Sequence, residues 1–370
     1  MGFFFGIFAV LGSIVLLTWN EGRAVTTEKS LKEGAAAVIS VASDTIAPGN
    51  DKKLIYLTGD VAAGDVIHDP LFNLSATALR LTRHAEMYQW KQEEHHDTHN
   101  KLGGGQETVT TYTYSKEWSD KPVNSSTFKH PEDHTNPTSF PVQAATTLSA
   151  KATLGAFKIP PPIIAKMQGD APLAAGADVL APLSPALKAK AKVTDDGIYI
   201  GGDPATPAVG DVRVSFLVLN PGTFSILAQQ NGDTLAPYPA KAGREIERVE
   251  SGTVSAESMF QHAESENRLI TWLVRLGGFI LMFIGFAAIL NPLKVLADVI
   301  PFVGSIIGFG TGLIAGMLAF AGSLVVIAIA WLFVRPLLGG TLLVIALAAV
   351  IHGFIRVRQH HLAATAAAPR

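Results

Sequence analysis

Two short runs of side chains carry the groups that metal binding and acid–base chemistry require. Glu93, Glu94, His95, His96, Asp97 and His99 form one run, and His130, Glu132, Asp133 and His134 form the other. Imidazole and carboxylate groups suit zinc and other divalent ions, but a structural site needs its ligands held in fixed geometry. Gly103, Gly104 and Gly105 follow the first run within a few residues and favour a solvated loop from His95 to Glu107 over a built metal site. The chain contains no Gly-x-Ser-x-Gly elbow, no phosphate-binding glycine loop and no His-Glu-x-x-His sequence. Asp60, Asp65 and Asp69 read as turn residues rather than a carboxylate cluster. The sequence therefore points away from an enzyme, with no catalytic residue, cofactor or bound metal expected.

A third pattern concerns packing. Gly304, Gly308, Gly312 and Gly316 recur every four residues, which on a helix leaves a groove without side chains where a second backbone can approach closely. Packing between spans of one chain and contact between protomers both fit the spacing. Lys294 and Asp298, four residues apart, are placed to pair on a helix.

These groups sit in a chain whose charge is unevenly spread. With 48% hydrophobic residues the composition alone fits a soluble protein, but Met1 to Trp19 carries no charge, and only Lys294, Asp298 and Arg335 interrupt Leu276 to Ile351. Phe3 to Trp19, about 17 residues at 1.5 Å each, just covers a hydrocarbon core of roughly 30 Å. Met1-Gly2 gives no basic start and Asn20-Glu21-Gly22-Arg23 no small-residue cleavage site, so an uncleaved anchor is expected rather than a signal peptide. A second span is expected over Leu269 to Leu290, ended by Asn291-Pro292. An interfacial or re-entrant segment over 293–309 follows, then a third span from Gly310 to Val334, a turn at Arg335-Pro336 and a fourth span from Leu337 to Phe354. Arg356, Arg358 and Arg370, with no acid beside them, place the 355–370 tail in the cytoplasm and residues 20–268 outside it; Arg335 is a counter-signal.

A net charge of −2 gives no basis for nucleic-acid binding. The absence of cysteine excludes disulfides and thiolate sites and fits a bacterial envelope protein.

The external segment reads as β-rich. Leu81, Arg83, Ala85 and Met87 alternate with His84, Glu86, Tyr88 and Trp90, and Tyr112, Tyr114 and Trp118 share one face of the next strand, which gives an aromatic-studded hairpin. That face serves cross-strand stability or acts as an interaction face. Ile55-Tyr56 to Gly59-Asp60 resembles Ile198-Tyr199 to Gly202-Asp203, which leaves a duplicated β-module open. The Pro/Ala-rich stretch 160–192 reads as a linker or hinge with room for a short amphipathic helix on the membrane. Asn231-Gly232-Asp233 reads as a turn, and Ser255 as the N-cap of the helix entering the second span.

Several segments together resemble the LUMA, or transmembrane protein 43, family, with this chain in the place of a bacterial relative. They are Asn20-Glu21-Gly22-Arg23 after the first span, the stretch from Leu81 to Trp90 containing Glu86, Tyr88 and Trp90, the stretch from Tyr112 to Trp118, Gly210-Asp211-Val212-Arg213, and Trp331 to Leu337 with Arg335-Pro336. The resemblance implies a multi-pass, oligomeric organiser of membrane protein complexes, resident in eukaryotes in the endoplasmic reticulum and inner nuclear membrane. It supplies no catalytic residues.

The expected architecture is thus a membrane α + β fold with four transmembrane helices, one N-terminal and three C-terminal, around a large extracytoplasmic β-rich domain. The expected role is a self-associating scaffold whose partners are the lipid bilayer, other membrane proteins and further copies of itself. The alternative is a lipid-binding or membrane-remodelling factor. In a bacterium the protein would lie in the inner membrane with a periplasmic domain.

Overall fold

The structure is a computed structural model that describes residues 2–100, 106–297, 301–337 and 339–341. From the N-terminus come helix α1 (Gly2–Ala37) and strands β1 (Leu54–Ala62), β2 (Arg80–Asn100), β3 (Gln106–Ser119), β4 (Thr153–Leu154) and β5 (Phe157–Lys158). Helix α2 (Pro161–Lys166) precedes strands β6 (Ala191–Thr194), β7 (Gly197–Ile200), β8 (Val212–Leu219), β9 (Gly222–Asn231), β10 (Thr234–Ala236) and β11 (Arg248–Ser251). Two long helices, α3 (Ala256–Ala297) and α4 (Pro301–Val334), follow. The chain divides into two compact units, one of Met1–Lys29, Asn100–Gln106 and Ala263–Arg370, the other of Ser30–His99 and Glu107–His262.

The β-rich unit holds two principal sheets. In the first, β1 pairs with β4 and β9, β4 with β5, β5 with β10, and β10 with β9, so the pairings return to their start. Ile55, Leu57, Leu154, Phe157, Ile226 and Leu235 fill the interior of that ring. β9 has neighbours on both edges, β1 and β11, and is accordingly buried along most of its length. In the second sheet the order is β6-β7-β8-β2-β3. Here the period-2 alternation decides the faces: Leu81, Ala85 and Met87 of β2 and Val212, Val214, Phe216 and Val218 of β8 point into one core, while His84, Arg213 and Ser215 stay exposed. Phe216 meets Phe72 edge to face at 5.5 Å.

Arg83 occupies an inward position on β2. Its guanidinium pairs with Asp69 at 2.5 Å, donates to the Gln143 carbonyl at 2.8 Å and lies 5.5 Å from the Phe72 ring. The Asp69 carboxylate also accepts the backbone N–H groups of Leu71 and Phe72, both at 2.8 Å.

Four expectations for this unit change. The hairpin strands run on to Asn100 and begin again at Gln106, because the threonine-rich stretch Thr108–Thr113 favours strand and His96 bonds Thr110 at 2.9 Å; only residues 101–105 fall outside the description. The stretch 160–192 is folded rather than a linker. Pro161 and Pro162 start α2, where a missing N–H costs nothing, and Ile163, Ile164, Met167, Val179 and Leu183 are buried in the two cores, leaving no apolar face for a membrane. Gly59-Asp60 is not a turn, since β1 continues through it paired to Phe224 and Thr223. Its sequence counterpart Gly201-Gly202-Asp203 lies beyond the end of β7 in the other sheet, so the two segments do not form equivalent modules. The turn at Gly232-Asp233 does close β9 onto β10, with Asn231 opposite Thr234 and Gly232 at φ 63°. Ser255 caps α3 by accepting from Ser258 N–H at 3.2 Å, worth about 1 kcal/mol for a serine N-cap.

Among the described residues, three helices are long and apolar enough to cross a membrane, within Gly2–Ala37, Ala256–Pro292 and Gly310–Val334. Their outward surfaces carry exposed Phe4, Phe8, Trp272, Met317, Phe320 and Phe333, which water would penalise and lipid would cover. α3 does not stop at Asn291-Pro292 but continues through Pro292 to Ala297. α4 is one helix of 34 residues beginning at Pro301, a position where proline is tolerated, so residues 301–309 run without a break into the expected third span. Residues 298–300, with Asp298, and nearly all of the expected fourth span and tail lie outside the described residues.

Candidate functional site

Segments far apart in sequence meet on the outer face of the second sheet. Arg213 on β8 stands opposite Glu86 on β2 and Tyr199 on β7. Its Nε donates to Glu86 Oε2 at 2.6 Å and its guanidinium lies 4.8 Å from the Trp118 ring. Trp118 in turn packs 5.2 Å from Tyr88 and 6.2 Å from Tyr199. The Tyr199 hydroxyl donates to Asp211 Oδ2 at 2.6 Å, and the same oxygen accepts Ala208 N–H at 2.9 Å. Gly210, at φ 96°, turns the chain so that its N–H donates to the Tyr88 carbonyl at 2.9 Å while Tyr88 N–H donates to the Asp211 carbonyl at 2.8 Å. Glu86, Tyr88, Gly210, Asp211 and Arg213 thus belong to one arrangement, and Glu86 and Arg213 border a cleft of about 410 Å³ that is also lined by Trp118, Tyr199 and Asp196.

Tyr199 was visible in the sequence only as part of a possible repeat. Burial, reinforced by the hydrogen bond to Asp211, raises its phenol well above the usual tyrosine range. The folded state therefore keeps a proton that an unfolded tyrosine releases near pH 10. This contribution to stability is fully present below about pH 10 and is lost as pH rises through the folded value. Alkaline unfolding followed by circular dichroism should show Tyr199→Phe flattening the fall in stability above pH 10; an unchanged slope would refute the assignment.

The rest of the aromatic face is roofed by the protein itself. His134 stacks on Tyr114 at 3.6 Å and meets Trp90 edge-on at 4.6 Å, Phe128 lies 6.0 Å from Tyr114, and Lys116 sits 4.4 Å over Trp90. Asn136 completes the roof, accepting Trp90 N–H at 2.7 Å and donating to the Trp90 carbonyl at 2.9 Å in place of a neighbouring strand. Tyr112 is half-buried on the same strand. Among the described residues no three His, Asp or Glu side chains converge as metal ligands. His130 Nδ1 lies 3.4 Å from Glu132 Oε1.

In the helical unit the glycine pattern divides. Gly304 and Gly308 lie on α4; a Cβ at Gly312 would meet no described residue within 4 Å, and one at Gly316 would make ordinary contact with Phe283 at 3.8 Å. The close approaches within the chain use glycines that spacing did not single out. A Cβ at Gly6 would come within 2.6 Å of the Gly285 carbonyl oxygen, one at Gly278 within 2.5 Å of Leu17, and one at Gly322 within 2.8 Å of Met282 Sδ. Asn20, Glu21 and Arg23 bond to α3, while Gly22 faces open space. Arg335, next to Pro336, pairs with Glu28.

A β-rich unit carried by apolar helices of spanning length defines an integral membrane protein. A family model described as Transmembrane protein 43 matches residues 87–336. Transmembrane protein 43 of Mus musculus is 31% identical over 376 residues, covering 96% of this chain and 90% of the relative. The Homo sapiens protein is 30% identical over 369 residues with the same coverage, and the Drosophila melanogaster homolog is 27% identical over 339 residues, covering 90% of this chain and 88% of the relative. No solved structure matches. The chain belongs to the Transmembrane protein 43 family.

Proposed function

We propose that this protein is a non-enzymatic membrane scaffold that self-associates through α4 and holds an extracytoplasmic β-rich domain for assembly with other membrane proteins. The observation that carries the reading is that no described residue comes within 4 Å of a Cβ at Gly312 on α4, whereas the described helices make their close approaches at Gly6, Gly278, Gly285 and Gly322. A second backbone gains dispersion contact there without displacing a side chain. Two charged groups of the cleft, Glu86 and Arg213, are engaged with each other, which suits a structural surface better than a reaction centre. The lipid-binding alternative is weaker, because the chain's own segment covers Trp90 and Tyr114. In a bacterial cell this scaffold would sit in the inner membrane with its β-rich unit in the periplasm.

Two differently tagged copies, co-expressed and captured from detergent-solubilised membranes, test the reading. Capture of one tag should recover the other, and Gly308→Leu with Gly312→Leu should abolish recovery while yield is kept. Undiminished recovery in the variant would exclude α4 as the contact, and no recovery in the parent would exclude self-association.

A further inference from the structure

The end of the first span carries a polar stripe that an anchor alone would not need. Asn20, Glu21, Ala24 and Glu28 fall on one side of α1, just past the exposed interfacial ring of Trp19. Glu21 is 1% exposed. Its Oε1 accepts from Arg275 Nε at 2.7 Å and its Oε2 from Arg275 Nη2 at 2.9 Å, a bidentate pair, and Oε2 also accepts the Trp331 indole N–H at 2.8 Å. One carboxylate therefore ties α1 to both α3 and α4. Asn20 donates to the Thr271 carbonyl at 3.0 Å, Arg23 to Asn267 Oδ1 and Thr271 Oγ1, both at 2.9 Å, and Asn267 returns a bond to the Ala24 carbonyl at 3.0 Å. Two turns further along α1, Glu28 pairs with Arg335 at the end of α4.

Removing α1 from this arrangement would leave Arg275, largely buried, and Arg335 as uncompensated guanidinium groups beside long apolar helices. A buried charge that loses its partner is strongly unfavourable, and more so at the edge of a bilayer. We infer that Asn20 to Glu28 is a charge latch: docking of α1 through Glu21 and Glu28 is what allows α3 and α4 to hold Arg275 and Arg335 at the membrane boundary, and so fixes both helices in their spanning register. The latch also ties the end of α4 to the side of the membrane on which the chain leaves the first span, which explains an arginine there despite the positive-inside rule. The inference stands whether or not the protein self-associates.

The chain has no cysteine, so single thiols can be placed cleanly. Leu337→Cys, at a site 87% exposed, reports the end of α4, and Ser126→Cys, exposed in the β-rich unit, reports that unit's side and folding. In sealed membranes an impermeant maleimide should label both from the same side. Adding Glu21→Gln and Glu28→Gln should cut the one-sided labelling of Leu337→Cys several-fold while Ser126→Cys labels as before. Glu28→Arg alone should also lose it, and Glu28→Arg combined with Arg335→Glu should restore it. Unchanged labelling in the neutralised variant, no rescue by the exchanged pair, or labelling of Leu337→Cys from the side opposite Ser126→Cys in the parent would each overturn the inference.

Discussion

Replacing Arg83 with leucine should cost the β-rich unit about 3–5 kcal/mol, the range typical for removing one partner of a buried ion pair. The side chains of Arg83 and Asp69 are only 6% and 2% exposed, so the carboxylate left behind would have no solvent to turn to. It would keep the N–H groups of Leu71 and Phe72 but lose its counter-charge. Arg213→Leu is the control. Its ion pair with Glu86 has comparable geometry but 51% exposure on the arginine side, and a solvent-screened pair is worth about 1 kcal/mol or less. Denaturant unfolding of the full chain in detergent, followed by tryptophan fluorescence, should show a large loss for Arg83→Leu and a small one for Arg213→Leu. Equal losses would mean that burial does not separate the two pairs.

Gly285→Leu should destabilise the helical unit more than Gly312→Leu, although both place leucine on an apolar helix. At Gly285 even a Cβ would come within 2.7 Å of Val10 Cγ2 and 2.9 Å of the Gly6 carbonyl, so a whole side chain must force α1 and α3 apart. Overpacking of this kind costs about 1–3 kcal/mol, and contact with backbone leaves little room for relief. At Gly312 no described residue lies within 4 Å, and the monomer should absorb the change. Thermal unfolding in detergent should give a lower midpoint for Gly285→Leu and a near-parental one for Gly312→Leu; the reverse order would place the close helix crossing elsewhere.

These cases also mark how far the sequence could be read. Period-2 alternation placed Leu81, Ala85 and Met87 on the inner face of β2 because that face is decided locally. It put Arg83 there as well but could not find Asp69, since the pairing depends on how the chain folds between the two. The apolar runs disclose the helices long enough to cross a membrane, yet Pro292 lies inside α3, although proline ends helices more often than it sits within one. The Pro/Ala-rich stretch differs from its composition for a related reason: Pro161 and Pro162 look like a linker, but Ile163 and Ile164 directly after them are buried in the core. Regular spacing drew attention to Gly304 through Gly316, whereas Gly6, Gly278, Gly285 and Gly322 earn their roles from the helix facing them, which no pattern within one helix records. Around the cleft, Glu86 and Arg213, with Asp211 behind Tyr199, were legible through family resemblance, but their convergence on Tyr199 needed strand order.

The scaffold reading is tested most directly by the mass of the purified protein in detergent, measured by light scattering with the detergent contribution subtracted. For a chain of 39.2 kDa, the account predicts a parent mass at an integral multiple of that value, and a smaller, still folded species for Gly308→Leu with Gly312→Leu. A parent that runs as a single chain, or a variant with the parent's multiple, would contradict it.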